Sequence, residues 1–237
     1  METRPAPGVH VTQAMSLQLA AAIAGVAGPI IFISVLTVAG LMRDGYDPVT
    51  RFVSDLAIGE AGWLQTANFI AFGALLIVFA AGLRRGLADG PAVRVSVVLL
   101  SLSGLGLVLA GLFPTDLAGQ PSTAHGEVHF AASLLTFGTL LAAFFVIARV
   151  FGQDVQWARY ARYSTRMGII VGALCLAATA ATPAATFNNF HAGPLAPWTG
   201  LIQRALFLVA FGWIAVIGFR LLRLRSLESL RRGRRSP

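Results

Sequence analysis

Apolar residues run along this chain in blocks too long and too evenly hydrophobic for the one-sided stripe of a soluble helix, and the polar residues gather in the short stretches between them. Six blocks reach the roughly 20 residues a helix needs to cross a hydrocarbon core about 30 Å thick: 16–42, 63–83, 91–113, 125–150, 167–182 and 199–222. The pattern predicts an all-α polytopic membrane protein, a bundle of six transmembrane helices. The first block reads as a span and not as a signal peptide, because its apolar run exceeds an h-region of about 7–15 residues and no small-residue cleavage motif closes it. The connections are too short for a separate soluble domain. The expected organisation is an N-terminal segment 1–15, one membrane domain 16–222 and a basic tail 223–237.

Composition agrees with that class: 56% of the residues are hydrophobic and only 12% charged, and the mean hydropathy of +0.74 lies outside the soluble range. Charge adds an orientation. All 18 basic side chains are arginine, and once the connections are assigned alternately to two sides, only Arg43, Arg51 and Arg204 fall opposite the rest. They share that side with Asp44, Asp47, Asp55, Glu60, Asp116 and Glu127. The positive-inside rule then puts both termini in the cytoplasm, with the protein in the plasma (inner) membrane. The net charge of +8 is met by anionic lipid headgroups on the cytoplasmic side, so nucleic acid is not an expected partner. Leu221, Leu224, Leu227 and Leu230, interleaved with arginine, would continue the last span as an interfacial helix. Trp157, Tyr160 and Tyr163 read as an interfacial aromatic belt on the same side.

Cys175 stands alone in the fifth span, which excludes an intramolecular disulfide and a thiolate metal site. Gly168 and Gly172 form a GxxxG pattern, and Ser101, Ser103, Gly104 and Gly106 give the third span a small surface; both favour close helix packing and leave a homodimer open. Gly28-Pro29 predicts a kink in the first span. The two halves of the chain show no repeat of the kind that marks inverted-repeat transporters.

The chemistry lies in the arginine-poor connections. Asp47 followed by Pro48 is an N-cap and first helical residue, so a short helix is expected there, with Arg51 and Asp55 four apart and able to pair. The next such connection carries Phe113-Pro114-Thr115-Asp116, and Ser122 or Thr123 can cap the fourth span. His125 and His129, at i and i+4, share a helical face and could hold one metal ion, zinc being the natural choice, with Asp116 or His191 as a third ligand. Glu127 does not follow the first histidine directly, so the zincin pattern is absent. A histidine pair near a helix start is more commonly hydrogen-bonded, here to Asp116 or to backbone, than bound to a metal. Arg204 sits about 7.5 Å into the last span at 1.5 Å per residue, a depth that calls for a partner; Asp116, Asp55 and Glu127 are the candidates. If these connections converge, Arg51, Ser54, Asp55, Asp116, His125, His129, His191 and Arg204 form one polar pocket, with Asn188 and Asn189 at its rim.

Tyr46, Arg51 and Ser54-Asp55-Leu56, then Trp63-Leu64, Phe72-Gly73, Gly111-Leu112-Phe113-Pro114-Thr115-Asp116, and His125-Gly126 with His129 occur in order. In these residues the chain resembles the prokaryotic membrane family catalogued as domain of unknown function 998 (DUF998). The resemblance runs from the first span to the sixth. It implies a six-span bundle with a pocket at these residues and supplies no reaction. A more distant similarity of ingredients, three His, an Asp and a Ser, is to alkaline-ceramidase-like zinc hydrolases, which have seven spans and carry their paired histidines in the last.

Three functional readings follow. The first is a non-catalytic protein that binds a lipid headgroup or small anion, with Arg51 and Arg204 as anion contacts. The second is a zinc-dependent hydrolase on His125, His129 and a third ligand. The third is a small-molecule or proton-coupled transporter, against which the apolar inner halves of the spans weigh.

Overall fold

The computed structural model describes residues 7–117, 120–181 and 193–233, with side chains described within 17–227. Six long helices account for most of them: α1 (Pro7–Met42), α2 (Gly62–Arg85), α3 (Pro91–Leu112), α4 (Ala124–Gly152), α5 (Ala158–Ala181) and α6 (Thr199–Gly233). Each contains a segment long and apolar enough to cross a membrane. The chain is a multi-pass, all-helical membrane protein, and the described residues include no strand.

The fifth helix departs from the hydropathy reading. It begins at Ala158, nine residues before the expected span, because Tyr160 and Tyr163 pack on the core instead of lying outside it. Trp157, expected in an interfacial belt, is only 1% exposed and stacks on Phe151 with ring centroids 4.7 Å apart. Arg220 of α6 covers this corner, donating to the Gln156 carbonyl at 2.7 Å.

Consecutive helices pack side by side, and α6 returns against α1, so the six close into a ring. The ring closes tightly because glycines stand where helix backbones cross. A Cβ on Gly218 would lie 2.8 Å from the backbone of Gly25, joining α6 to α1. A Cβ on Gly73 would lie 2.5 Å from the Gly104 carbonyl, joining α2 to α3. Gly168 lies against Phe144 and Phe145, and Gly172 against Leu141, so the GxxxG face is filled by α4 of the same chain. In lipid no water drives helices together, so such close approach supplies the dispersion contacts that hold them.

The spans are apolar on their core-facing and outward sides alike, and large aromatic side chains are prominent in the core. Phenylalanine fills the centre: Phe32 meets Phe207 and Phe211 edge to face at 5.3 and 5.1 Å, and Phe72 meets Phe211 at 4.5 Å. Edge-to-face pairs like these contribute about 0.5–1.5 kcal/mol each beyond burial. Aliphatic side chains such as Ile30, Ile31, Leu134, Leu176 and Leu208 point outward, toward lipid. Buried polar links also cross this core: the Trp213 indole N–H donates to Ser164 Oγ at 2.9 Å, and the Asn68 amide donates to the Phe32 carbonyl at 3.0 Å.

Candidate functional site

At the arginine-poor end, the connection between α1 and α2 turns into the ring. Its two flanks are set by Gly45 and Gly59, whose φ values of 68° and 89° suit glycine. Asp47 caps a turn as expected, its carboxylate accepting from the Val49 N–H at 2.9 Å and the Thr50 hydroxyl at 2.7 Å. These bonds hold its pKa below the usual carboxylate value.

The turn does not grow into the predicted helix. The Pro48 and Arg51 carbonyls, which a helix would spend on its own N–H groups, accept from Arg204 Nη1 at 2.8 and 3.2 Å. The chain resumes as a single 3-10 turn, Ser54–Ala57, in which every residue is buried. Arg43 closes that turn by donating to the Asp55 and Ile58 carbonyls. Arg51 and Asp55 consequently do not share a helix: Arg51 is exposed and Asp55 buried.

Arg204 does not find the expected carboxylate. Besides those two carbonyls it donates to Gly200 O at 3.1 Å and to the Tyr46 hydroxyl at 2.6 Å, lying over the Tyr46 ring. The Tyr46 hydroxyl in turn donates to Phe52 O at 2.8 Å. Burial raises the Tyr46 pKa, while the bond from Arg204 opposes that rise. The guanidinium is therefore a staple between α6 and the connection, its Nη1 shared among three carbonyls and its Nη2 bonded to the Tyr46 hydroxyl. The Leu201 N–H, donating to Val49 O at 3.0 Å, is a second staple.

Asp116 serves another structure. Its two carboxylate oxygens accept from the Thr123 backbone N–H and hydroxyl, each at 2.8 Å. Thr123 is the N-cap of α4, and its side chain accepts from the Gly126 N–H at 3.2 Å. Asp116 lies directly against Gly126, where any Cβ would collide with its carboxylate. A negative charge here also suits the positive end of the helix.

The two histidines diverge although they share a face. His125 is exposed and packs on Phe113, ring centroids 5.5 Å apart. His129 is 6% exposed, and its Nδ1 lies 2.9 Å from both the Ala110 and the Phe113 carbonyl, at the last turn of α3. Two carbonyls require a proton on Nδ1, so the neutral ring carries its free lone pair on Nε2. Among the described residues no three His, Cys, Asp or Glu side chains come together as a metal cluster. His191, Asn188 and Asn189 lie outside the described residues.

What the fold does assemble is a chamber beneath the buried 3-10 turn. Ser54, His129, Ser133, Thr136 and Gln203 face it alongside Phe69, Leu107, Ala110, Phe137 and Phe207. Its volume is about 20 Å³, room for a single water. The Val53 N–H donates to Gln203 Oε1 at 2.6 Å, which fixes the amide and leaves Nε2 as a donor. The Ser133 and Thr136 hydroxyls donate to the carbonyls four residues back, His129 and Ala132, and keep lone pairs to accept with. One turn of α2 toward the mouth from Phe69, Gln65 is completely buried and its Nε2 has no partner.

Of the eight residues expected to converge, Ser54 and His129 line this chamber, and Asp55 stands beside Ser54 in its roof. Asp116 and Arg204 are spent on the cap and the staple. Ser133, Thr136 and Gln203 escaped the sequence reading, yet a signal was present: His129, Ser133 and Thr136 follow the i, i+4, i+7 spacing of one helical face.

A closed six-helix ring with a roofed polar chamber at one end defines the class, a multi-pass membrane protein with a polar site set in an apolar bundle. The chain matches the family described as Protein of unknown function (DUF998) over residues 26–220 and belongs to it. No curated protein and no solved structure matches the chain.

Proposed function

We propose that the protein lies in the plasma membrane with both termini cytoplasmic, and that the roofed chamber, on the outer side, receives a single hydroxyl group of an uncharged amphiphile. The observation that carries this reading is the chamber's mixed lining. His129, Ser54, Ser133, Thr136 and Gln203 supply acceptors and a donor, and Phe69, Leu107, Phe137 and Phe207 supply an apolar wall. Polar side chains set this deep in a membrane bundle are costly unless they serve a ligand or each other. A hydroxyl-bearing headgroup suits them better than an anion, because the Arg204 guanidinium that would meet an anion is engaged by Pro48, Arg51, Gly200 and Tyr46. The phenylalanine-filled centre supports binding over transport. The orientation rests on the arginine distribution.

Detergent-purified protein should be stabilised against heat by monooctanoylglycerol and not by octyl phosphate. The Ser133→Ala/Thr136→Val pair should lose that response. Stabilisation by the phosphate alone, or an unchanged response in the double variant, would sink the proposal. For the orientation, a cysteine replacing exposed Ser122 in a Cys175→Ser background should react with an impermeant maleimide on intact cells. Protection there would reverse it.

A further inference from the structure

At the opposite end of α2 from the roofed chamber lies a second and much larger hollow, and we infer that it seats one anionic phospholipid, with Arg84 and Arg85 holding the phosphate and an apolar wall taking the start of an acyl chain. The helices α1 and α3 each pack along α2, and the hollow is the groove between them where α2 ends. Its volume is about 750 Å³, within the range of about 300–1,000 Å³ typical of clefts that hold a whole small ligand. Gly82 brings α1 tightly against α2 here, since a Cβ on it would collide with Ala21. Gln18 Nε2 of α1 donates to the Arg85 carbonyl at 2.7 Å, filling an acceptor that the end of a helix leaves open. The last turn of α2, and with it the pair of arginines, is thereby held in place.

Charge selects an anion. Arg84 and Arg85 line the groove with exposed side chains, together with Asp89. Asp89 lies 3.9 Å from both Arg84 and Arg94, whose side chains are 51% and 57% exposed. Ion pairs that long and that wet contribute little, and Arg85 forms none among the described residues. Three arginines therefore stand around one carboxylate, an excess of positive charge that a phosphodiester can meet through paired guanidinium N–H donors.

The apolar lining selects a lipid over a soluble anion. Leu17, Ala81, Leu87 and Val97 form the rest of the wall. Helical spacing carries that wall deeper into the bundle: Ile77 lies one turn from Ala81 on α2, and Leu105 two turns from Val97 on α3. Both are exposed on the flank of the bundle. Ile77 is about 12 Å along α2 from Arg85 at 1.5 Å per residue, so an aliphatic strip runs from the arginines toward the middle of the membrane. A free phosphate has no use for that strip, and an acyl chain has.

The full-length chain, purified in a neutral maltoside detergent, is titrated with dioleoylphosphatidylglycerol, with dioleoylphosphatidylcholine, and with glycerol phosphate, which carries the anion without chains. Native mass spectrometry counts bound lipid, and the melting temperature follows stabilisation. One phosphatidylglycerol per chain should bind about 10-fold or more tighter than phosphatidylcholine, and glycerol phosphate should leave the melting temperature unchanged. Arg84→Gln/Arg85→Gln should abolish that preference, whereas Arg159→Gln/Arg162→Gln, which takes the same charge from exposed positions of α5, should keep it. Ala81→Phe fills the groove without altering charge and should weaken binding. Asp89→Asn removes the competing carboxylate and should tighten it, an outcome that a damaged fold would not give. Equal binding of the two lipids, an equal effect of the two arginine pairs, or unchanged binding in Ala81→Phe would overturn the inference. Stabilisation by glycerol phosphate as large as that by phosphatidylglycerol would overturn it in favour of a soluble anion.

Discussion

Asp116 is the residue for which a structural and a functional role make the most different forecasts. Replacing it with asparagine preserves shape but removes the charge and one of the two oxygens that face the Thr123 N–H and hydroxyl at 2.8 Å. Charge-assisted hydrogen bonds contribute about 1.5–3 kcal/mol against about 0.5–1.5 for neutral ones. Two weakened bonds therefore cost about 2 kcal/mol before solvent is considered. Thr123 is exposed and Asp116 partly so, so screening brings the expected loss to about 1–2 kcal/mol, including the favourable charge at the start of α4. For a chain of this size that is a fall in melting temperature of about 2–8 °C. Half-buried Cys175 in α5 is a built-in reporter, because a fluorogenic maleimide should reach it as the bundle opens. Thr123→Ala severs the hydroxyl half of the contact from the other side, so the two substitutions should be coupled by about 0.5 kcal/mol or more in a double-mutant cycle. An unchanged melting temperature in Asp116→Asn, or strict additivity with Thr123→Ala, would refute the capping role and return Asp116 to the list of ligand-binding groups.

Two further expectations concern buried contacts. Ser164→Ala removes the acceptor of the fully buried Trp213 indole, and it should destabilise the protein by about 1–3 kcal/mol, the cost of an unsatisfied buried donor; Trp213→Phe added to it should recover part of the loss. Burial raises the Tyr46 pKa in the folded chain, so the stability it contributes is fully present below the ordinary value of about 10 and is lost as pH rises through the higher folded value. Thermal unfolding followed between about pH 9 and 11 should show that loss in the wild type and a flatter profile in Tyr46→Phe, and identical profiles would contradict the assignment.

The helices were legible because lipid imposes a length and a composition that soluble folds do not. The start of α5 was less so: Arg159, Tyr160, Arg162 and Tyr163 look like a connection, yet their positions along the helix let the tyrosines pack inward. Asp47 announced its cap correctly, but nothing local says that Arg204, more than 150 residues away, will take the carbonyls the next turn would need. The same holds for Asp116, whose partner Thr123 was expected to cap α4 while Asp116 itself was reserved for a ligand. For Arg204 and Asp116 the polar side chain was visible, but its partners include backbone groups, which a sequence does not display. The chamber was half visible for the same reason. Ser54 and His129 stood out by type, whereas Gln203 gains its meaning from the Val53 N–H it accepts.

The Gly25 and Gly218 crossing makes the first helix wait for the last. A chain that has delivered α1 through α5 to the bilayer is an open arc, with Phe32 and Phe72 lacking the Phe207 and Phe211 edges that enclose them in the finished ring. Gln203 and Arg204 arrive with the same helix, so until α6 is in place the roof over the chamber lacks its bonds to the Val53 N–H and to the Pro48 and Arg51 carbonyls. A product truncated before α6 would be inserted but unsealed, its polar wall open sideways to the lipid, and membrane quality control would meet it in that state.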